Sequence, residues 1–342
     1  MDKRERWVQG VLAVLLVVGL VWSYLLTHPS TAGKGRGPSA VNLWTVPLEE
    51  VTGLEFREGT FSVTLGASPG EEKDKPDVWV EVSGGPPKAQ SQRAGKAPTP
   101  EADAPAAFKG NATAQGSLRS FANALAVRDL GPLSGMDAEA LGLKEQKDWL
   151  EVKRGQDDPP LKLVLGRITY GGANRYVLAS TDERVYLMRN AEFSRLVQAR
   201  GTMMDRQLLD MGLKAVRRME VVLGAARQVY RKDPEAELWR DAGDGEQDGK
   251  VNALLRALFG LQAKEYLSPE EGERRRAALG PDTLTLKLWD SLQDGRERQI
   301  SLGAVGKKDA WAESSHTGKP VAVEPAKAAG LMKAAQALFA GT

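Results

Sequence analysis

The sequence predicts an α+β fold: an N-terminal transmembrane helix followed by two similar antiparallel-sheet-plus-helix domains. Three observations predict it. One uncharged apolar run, Val8 to Leu26, stands near the start of the chain. Short stretches of apolar–polar alternation follow it, broken by stretches with helical spacing. The order of those stretches in residues 41–200 recurs in residues 205–342. A length of 342 residues suits two domains of roughly 100–200 residues each.

The segment Trp7 to Leu26 is read as the anchor. At 1.5 Å per residue, roughly 20 residues span about 30 Å, the thickness of the hydrocarbon layer. Trp7 at one end, with Trp22 and Tyr24 near the other, suits the interfacial zones. The competing reading is a cleaved signal peptide, whose apolar region runs about 7–15 residues and ends at a small-x-small site. Tyr24-Leu25-Leu26-Thr27-His28 offers no such site. Lys3, Arg4 and Arg6 make residues 1–6 a cytoplasmic tail by the positive-inside bias. The later chain is then expected as one body on the extracytoplasmic side. Residues 27–40 are rich in Gly, Pro, Ser and Thr and read as a flexible stalk.

In the first domain, 41–200, three strands are expected at Val51–Phe56, Phe61–Leu65 and Val78–Val82. Ser83 to Gly110 carries Pro86, Pro87, Pro98, Pro100 and Pro105 and almost no large apolar residue before Phe108. It reads as a disordered insertion in a surface loop. A helix is expected from Ser117 to Leu130, then strands at Trp149–Lys153, Leu161–Leu165, Arg175–Ala179 and Val185–Met188. Ala191 to Met211 reads as a joining helix, with Met203, Met204, Leu208 and Leu209 packed at the junction.

The second domain, 205–342, repeats this order. Val216–Val222, Ala226–Tyr230 and Glu237–Trp239 echo the first three strands, and Lys250–Ala263 supplies a helix. Leu279-Gly280 echoes Leu141-Gly142. Thr283–Trp289, Gln299–Gly303, Ala310–Ala312 and Val321–Val323 follow, with a last helix at Ala326–Phe339. Trp79 and Trp239 read as core anchors on equivalent strands. Two unrelated α+β domains remain the alternative.

Composition excludes several functions. There is no cysteine, hence no disulfide, thiolate metal site or cysteine nucleophile. The two histidines, His28 and His316, exclude a multi-histidine metal site. With 47 basic and 45 acidic residues the net charge is +2, and no nucleic-acid partner is expected.

Several motifs carry a plainer reading beside a chemical one. Asp241 to Gly249 could offer carboxylates to calcium, but its spacing misses the EF-hand pattern. It reads as a turn with Asp248 as helix N-cap. Ser314-Ser315-His316 could pair a nucleophile with a base, but no orienting acid is visible. Thr317-Gly318-Lys319 reads as a turn without P-loop glycines. Arg217, Arg218, Arg227, Arg231 and Lys232 form a basic patch that could meet anionic lipid or a partner, or simply a solvated face. Glu270 to Arg276 reads as a helix with acid first and base last. No catalytic, cofactor-binding or metal-ligating residue is assigned, and no cofactor is expected.

The residues Val51, Leu54, Trp79, Leu141-Gly142-Leu143, Leu165-Gly166, Tyr176 and Val185-Tyr186 carry a resemblance. The pattern resembles a bacterial family of unknown function over roughly residues 41–265. The chain departs from it in the Pro/Ala-rich insertion and in Trp311, where the first domain has Tyr176. The resemblance implies membrane-anchored proteins with tandem α+β domains, often encoded beside gliding-motility-type ABC transporter permeases. It brings no catalytic residues. The expectation is a non-enzymatic, single-pass accessory or scaffold at the bacterial inner membrane, with periplasmic domains. Its partners would be membrane lipid, through the N-terminal helix, and an ABC transporter permease or envelope complex. The alternative is a small-molecule or glycan-binding module using a cleft between the two repeats. An envelope enzyme is third.

Overall fold

The structure is a computed structural model, and it describes residues 40–340 apart from 71–74, 86, 88–104, 156–157, 244, 278–282, 293–294 and 306–308. Residues Asn42–Thr342 form one compact unit.

Strand β1 (Val41–Thr45) is followed by the meander β2 (Val51–Glu58), β3 (Phe61–Ser68) and β4 (Asp77–Ser83). Alternation explains it: Phe61, Val63 and Leu65 on β3 and Val78, Val80 and Val82 on β4 are buried, while their neighbours face outward. Each such side chain stabilises by about 1.5–3 kcal/mol. β5 (Ala106–Lys109) pairs with β4, setting Phe108 opposite Val80. α1 (Ala112–Ala122) begins at Asn111, whose Oδ1 accepts from the backbone N–H of Thr113 and Ala114 at 2.8 and 3.4 Å.

β6 (Asn123–Ala126) pairs with β1, and β7 (Arg128–Pro132) reaches the far edge of the large sheet. β8 (Trp149–Arg154), β9 (Leu161–Ile168), β10 (Asn174–Ala179) and β11 (Arg184–Arg189) complete it. α2 (Asn190–Val197) and the short α3 (Ala199–Thr202) follow. Phe121 of α1 and Phe193 of α2 meet with ring centroids 5.5 Å apart over the buried face. The other face is covered near Leu143, Val164, Leu178 and Val185, with Leu141 and Tyr176 packed against them. This explains the Leu-Gly-Leu and Leu-Gly pairs. Gly142 has φ +72°, and Leu141 O accepts the Arg167 N–H at 2.8 Å. A Cβ on Gly166 would stand 2.5 Å from Leu141 O.

The second half has β12 (Arg218–Leu223), β13 (Ala226–Lys232), β14 (Trp239–Asp241), α4 (Asp248–Phe259), β15 (Ala263–Tyr266) and α5 (Pro269–Ala277). β16 (Leu284–Trp289), β17 (Glu297–Val305), β18 (Asp309–Ser314), β19 (Val321–Val323) and α6 (Pro325–Phe339) end it. Every neighbouring strand pair in the two large sheets is antiparallel. One sheet runs β5-β4-β3-β2-β8-β9-β10-β11-β7 and the other β14-β13-β12-β16-β17-β18-β19-β15. Apart from β5, the two orders are the same connectivity.

Several expectations need correction. The α+β fold led by a transmembrane helix is replaced by a sheet-dominated fold. It has three sheets and six helices among the described residues, none of them long and apolar enough to cross a membrane. The tail 1–6, the apolar segment 7–26 and nearly all of the stalk 27–40 lie outside the described residues, as does Leu279-Gly280. Both sheets lie within one compact unit, Asn42–Thr342. Most of the Ser83–Gly110 insertion lies outside the described residues, and its last part is not loop: Ala106–Lys109 is a strand because β4 offers an unpaired edge. The joining helix stops at Thr202, because Met204 to Arg206 run extended and bond to both sheets.

Candidate functional site

The linker, residues 203–212, runs between β5 and β15. Asp205 N–H donates to Lys109 O at 2.8 Å, and Gly110 bridges Met204. On the other side Ala263 N–H donates to Arg206 O at 2.9 Å. Two sheet edges that would otherwise expose unpaired groups are thereby satisfied. The result is a backbone-bonded seam. Met203, Met204, Leu208 and Leu209 are buried beneath it.

Side chains from five segments meet there. His316 Nε2 lies 2.9 Å from Asp205 Oδ2, both side chains under a fifth exposed. The Tyr266 hydroxyl donates to Asp205 O at 3.2 Å. Burial, and next the Asp205 charge, push the Tyr266 phenol well above its ordinary value. Lys109 Nζ donates to His316 O at 3.2 Å and stands 3.4 Å from Asp77. Trp79 packs edge-on to Tyr266 at 6.3 Å, with Lys319 Nζ 4.5 Å above its ring. Trp239 is a core residue, 2 % exposed, whereas Trp79 is half-buried at the seam. Tyr266 also packs against Phe108, with ring centroids 6.4 Å apart.

The orienting acid for His316 therefore exists, but it is Asp205, across the seam. Ser314 does not join it. Its hydroxyl bonds to Thr317, and both residues are buried. Ser315 Oγ accepts from Gln299 N–H. Thr317-Gly318-Lys319 is a turn, with Gly318 at φ +61°. What the His316–Asp205 pair can do is hold the loop after β18 against the seam.

Asp241 is committed to its own turn. It accepts from Gly243 N, Gly245 N and Gln247 Nε2 at 2.9, 2.9 and 3.2 Å, and these bonds hold its carboxyl below the usual value, Gly245 first. Asp248 is the first residue of α4 rather than its cap, and it accepts from Trp239 N and Asn252 Nδ2. Among the described residues no group of three His, Asp or Glu is placed to hold a metal ion. In α5, Glu271 pairs with Arg274 and Arg275, and Arg276 pairs with Glu313.

A second polar feature is an open groove of about 860 Å³ in the first half. Arg57, Lys144, Lys147 and Arg167 face Glu139, Glu145 and Asp148 in it. Lys144 pairs with Glu139 at 2.8 Å and Lys147 with Glu145 at 2.5 Å.

These features define a class: a two-sheet platform with a bonded seam and charged surface concavities. The chain belongs to the family described as Domain of unknown function (DUF4340), whose model matches residues 101–283. The match runs across the linker, from before β5 to the start of β16. No curated protein and no solved structure is significantly similar to the chain.

Proposed function

We propose that this protein is a non-enzymatic accessory or scaffold, the extracytoplasmic partner of an ABC-type transporter or envelope complex at a bacterial inner membrane. The observation that carries the reading is the seam. Each backbone hydrogen bond across it contributes about 0.5–1.5 kcal/mol net, and together they join two sheets into one extended surface. A stiff surface of this kind lowers the ordering cost of docking a partner. Membrane attachment rests on the uncharged stretch from Val8 to Leu26, and the transporter link on the resemblance in sequence. The test is mild crosslinking and affinity purification from detergent-solubilised membranes, read by mass spectrometry. Permease or envelope subunits support the reading. Recovery of soluble cytosolic proteins alone ends it.

A further inference from the structure

We propose that Arg218 and Arg231, on the outer face of the second sheet, bind a phosphate group. Arg218 of β12 lies directly opposite Arg231 of β13, which lies directly opposite Arg240 of β14. Opposed residues in an antiparallel ladder share a face, with Cβ atoms about 4.5–5.5 Å apart. The three therefore form one row about 10 Å long. Like charges placed opposite one another are destabilising, so such a row needs compensation.

Compensation from within the protein is uneven. Arg240 pairs with Asp233 at 3.2 Å and faces Glu246 across a bridge. Nearby, Arg227 pairs with Glu220 at 2.8 Å and Lys287 with Glu297 at 3.1 Å. Arg231 is exposed and has no acidic partner among the described residues. The Arg218 guanidinium lies over the Trp289 ring at 4.5 Å, and its Nε is buried without a hydrogen-bond partner. Two adjacent guanidinium groups of the row, Arg218 at its end and Arg231 at its centre, are thus unanswered by a carboxylate.

The stacking on Trp289 fixes the plane of Arg218 and leaves its N–H fork as the binding edge. A carboxylate offers two oxygens and fills one fork. A phosphate spreads its oxygens around one centre and can accept from two forks together. A phospholipid headgroup and a soluble phosphate share this chemistry.

The test uses the full chain in uncharged detergent micelles at low salt. Inorganic phosphate is titrated by equilibrium dialysis. In parallel, micelles are doped with a short-chain phosphatidylglycerol or with an uncharged diacylglycerol. We expect saturable binding in at least one phosphate arm, weakened about tenfold by Arg231→Gln and by Arg218→Lys, which keeps charge but loses the fork. Arg128→Gln, on the other sheet, leaves binding unchanged. Binding of inorganic phosphate identifies a soluble ligand; binding only with phosphatidylglycerol identifies a headgroup. Absence of saturable binding in both arms overturns the proposal. So does binding indifferent to Arg231→Gln, or a polyglutamate peptide that binds more tightly than either phosphate source.

Discussion

His316 and Asp205 stand 111 residues apart in sequence, yet their side chains meet at 2.9 Å. The contact ties the loop after β18 to the linker that bonds β5 to β15. If it holds the seam, His316→Ala should cost about 1–2 kcal/mol of unfolding free energy. Limited proteolysis should then cut within residues 203–212. Urea unfolding and peptide mapping check this. An unchanged midpoint with no new cleavage would remove the seam's dependence on the pair.

Gly166 packs against Leu141 so closely that a Cβ would lie 2.5 Å from its carbonyl oxygen, a backbone atom. Gly166→Ala should therefore destabilise by about 1–3 kcal/mol. Gly66 has nothing within 4 Å of an added Cβ and no positive φ, so Gly66→Ala should be near neutral or slightly stabilising. Equal midpoints for the two variants in thermal unfolding would refute the close-approach account.

Acid should loosen the linker through Asp210. Burial pulls its carboxyl up, but Arg298 at 2.8 Å and Arg296 at 3.2 Å outweigh that and hold it below the ordinary aspartate value. A carboxyl depressed in the folded state stabilises fully above its unfolded pKa. That stability is lost as pH falls through the folded pKa. Unfolding free energy should decline below about pH 4, and less steeply in Asp210→Asn. Identical pH profiles for both proteins would count against the assignment.

Millimolar calcium should leave the melting temperature unchanged, because Asp241 already accepts bonds from Gly243, Gly245 and Gln247. A calcium-dependent rise abolished by Asp241→Asn would show that the turn is a cation site.

Many strands lie where alternation places them, β3, β4, β16 and β19 among them, because a half-buried strand writes its buried face into every second residue. Elsewhere pairing overrides local spacing. Ser117 to Leu130 has helical spacing, but the helix ends at Ala122, where Asn123–Ala126 pairs with β1 and Arg128–Pro132 with β11. Phe108 was the one large apolar residue in its stretch, and it marks β5. In the basic patch, residue spacing showed the charges but not that Arg218, Arg231 and Arg240 would align across three strands.

The sequence by itself determined many of the local elements, the absence of thiol chemistry and the family, because these depend on side-chain type and short-range periodicity. Only the tertiary structure decided that the linker is extended, that His316 has an acid and that the two sheets are joined. Those outcomes depend on which unpaired backbone edges come within reach of one another, and no stretch of neighbouring residues encodes that distance.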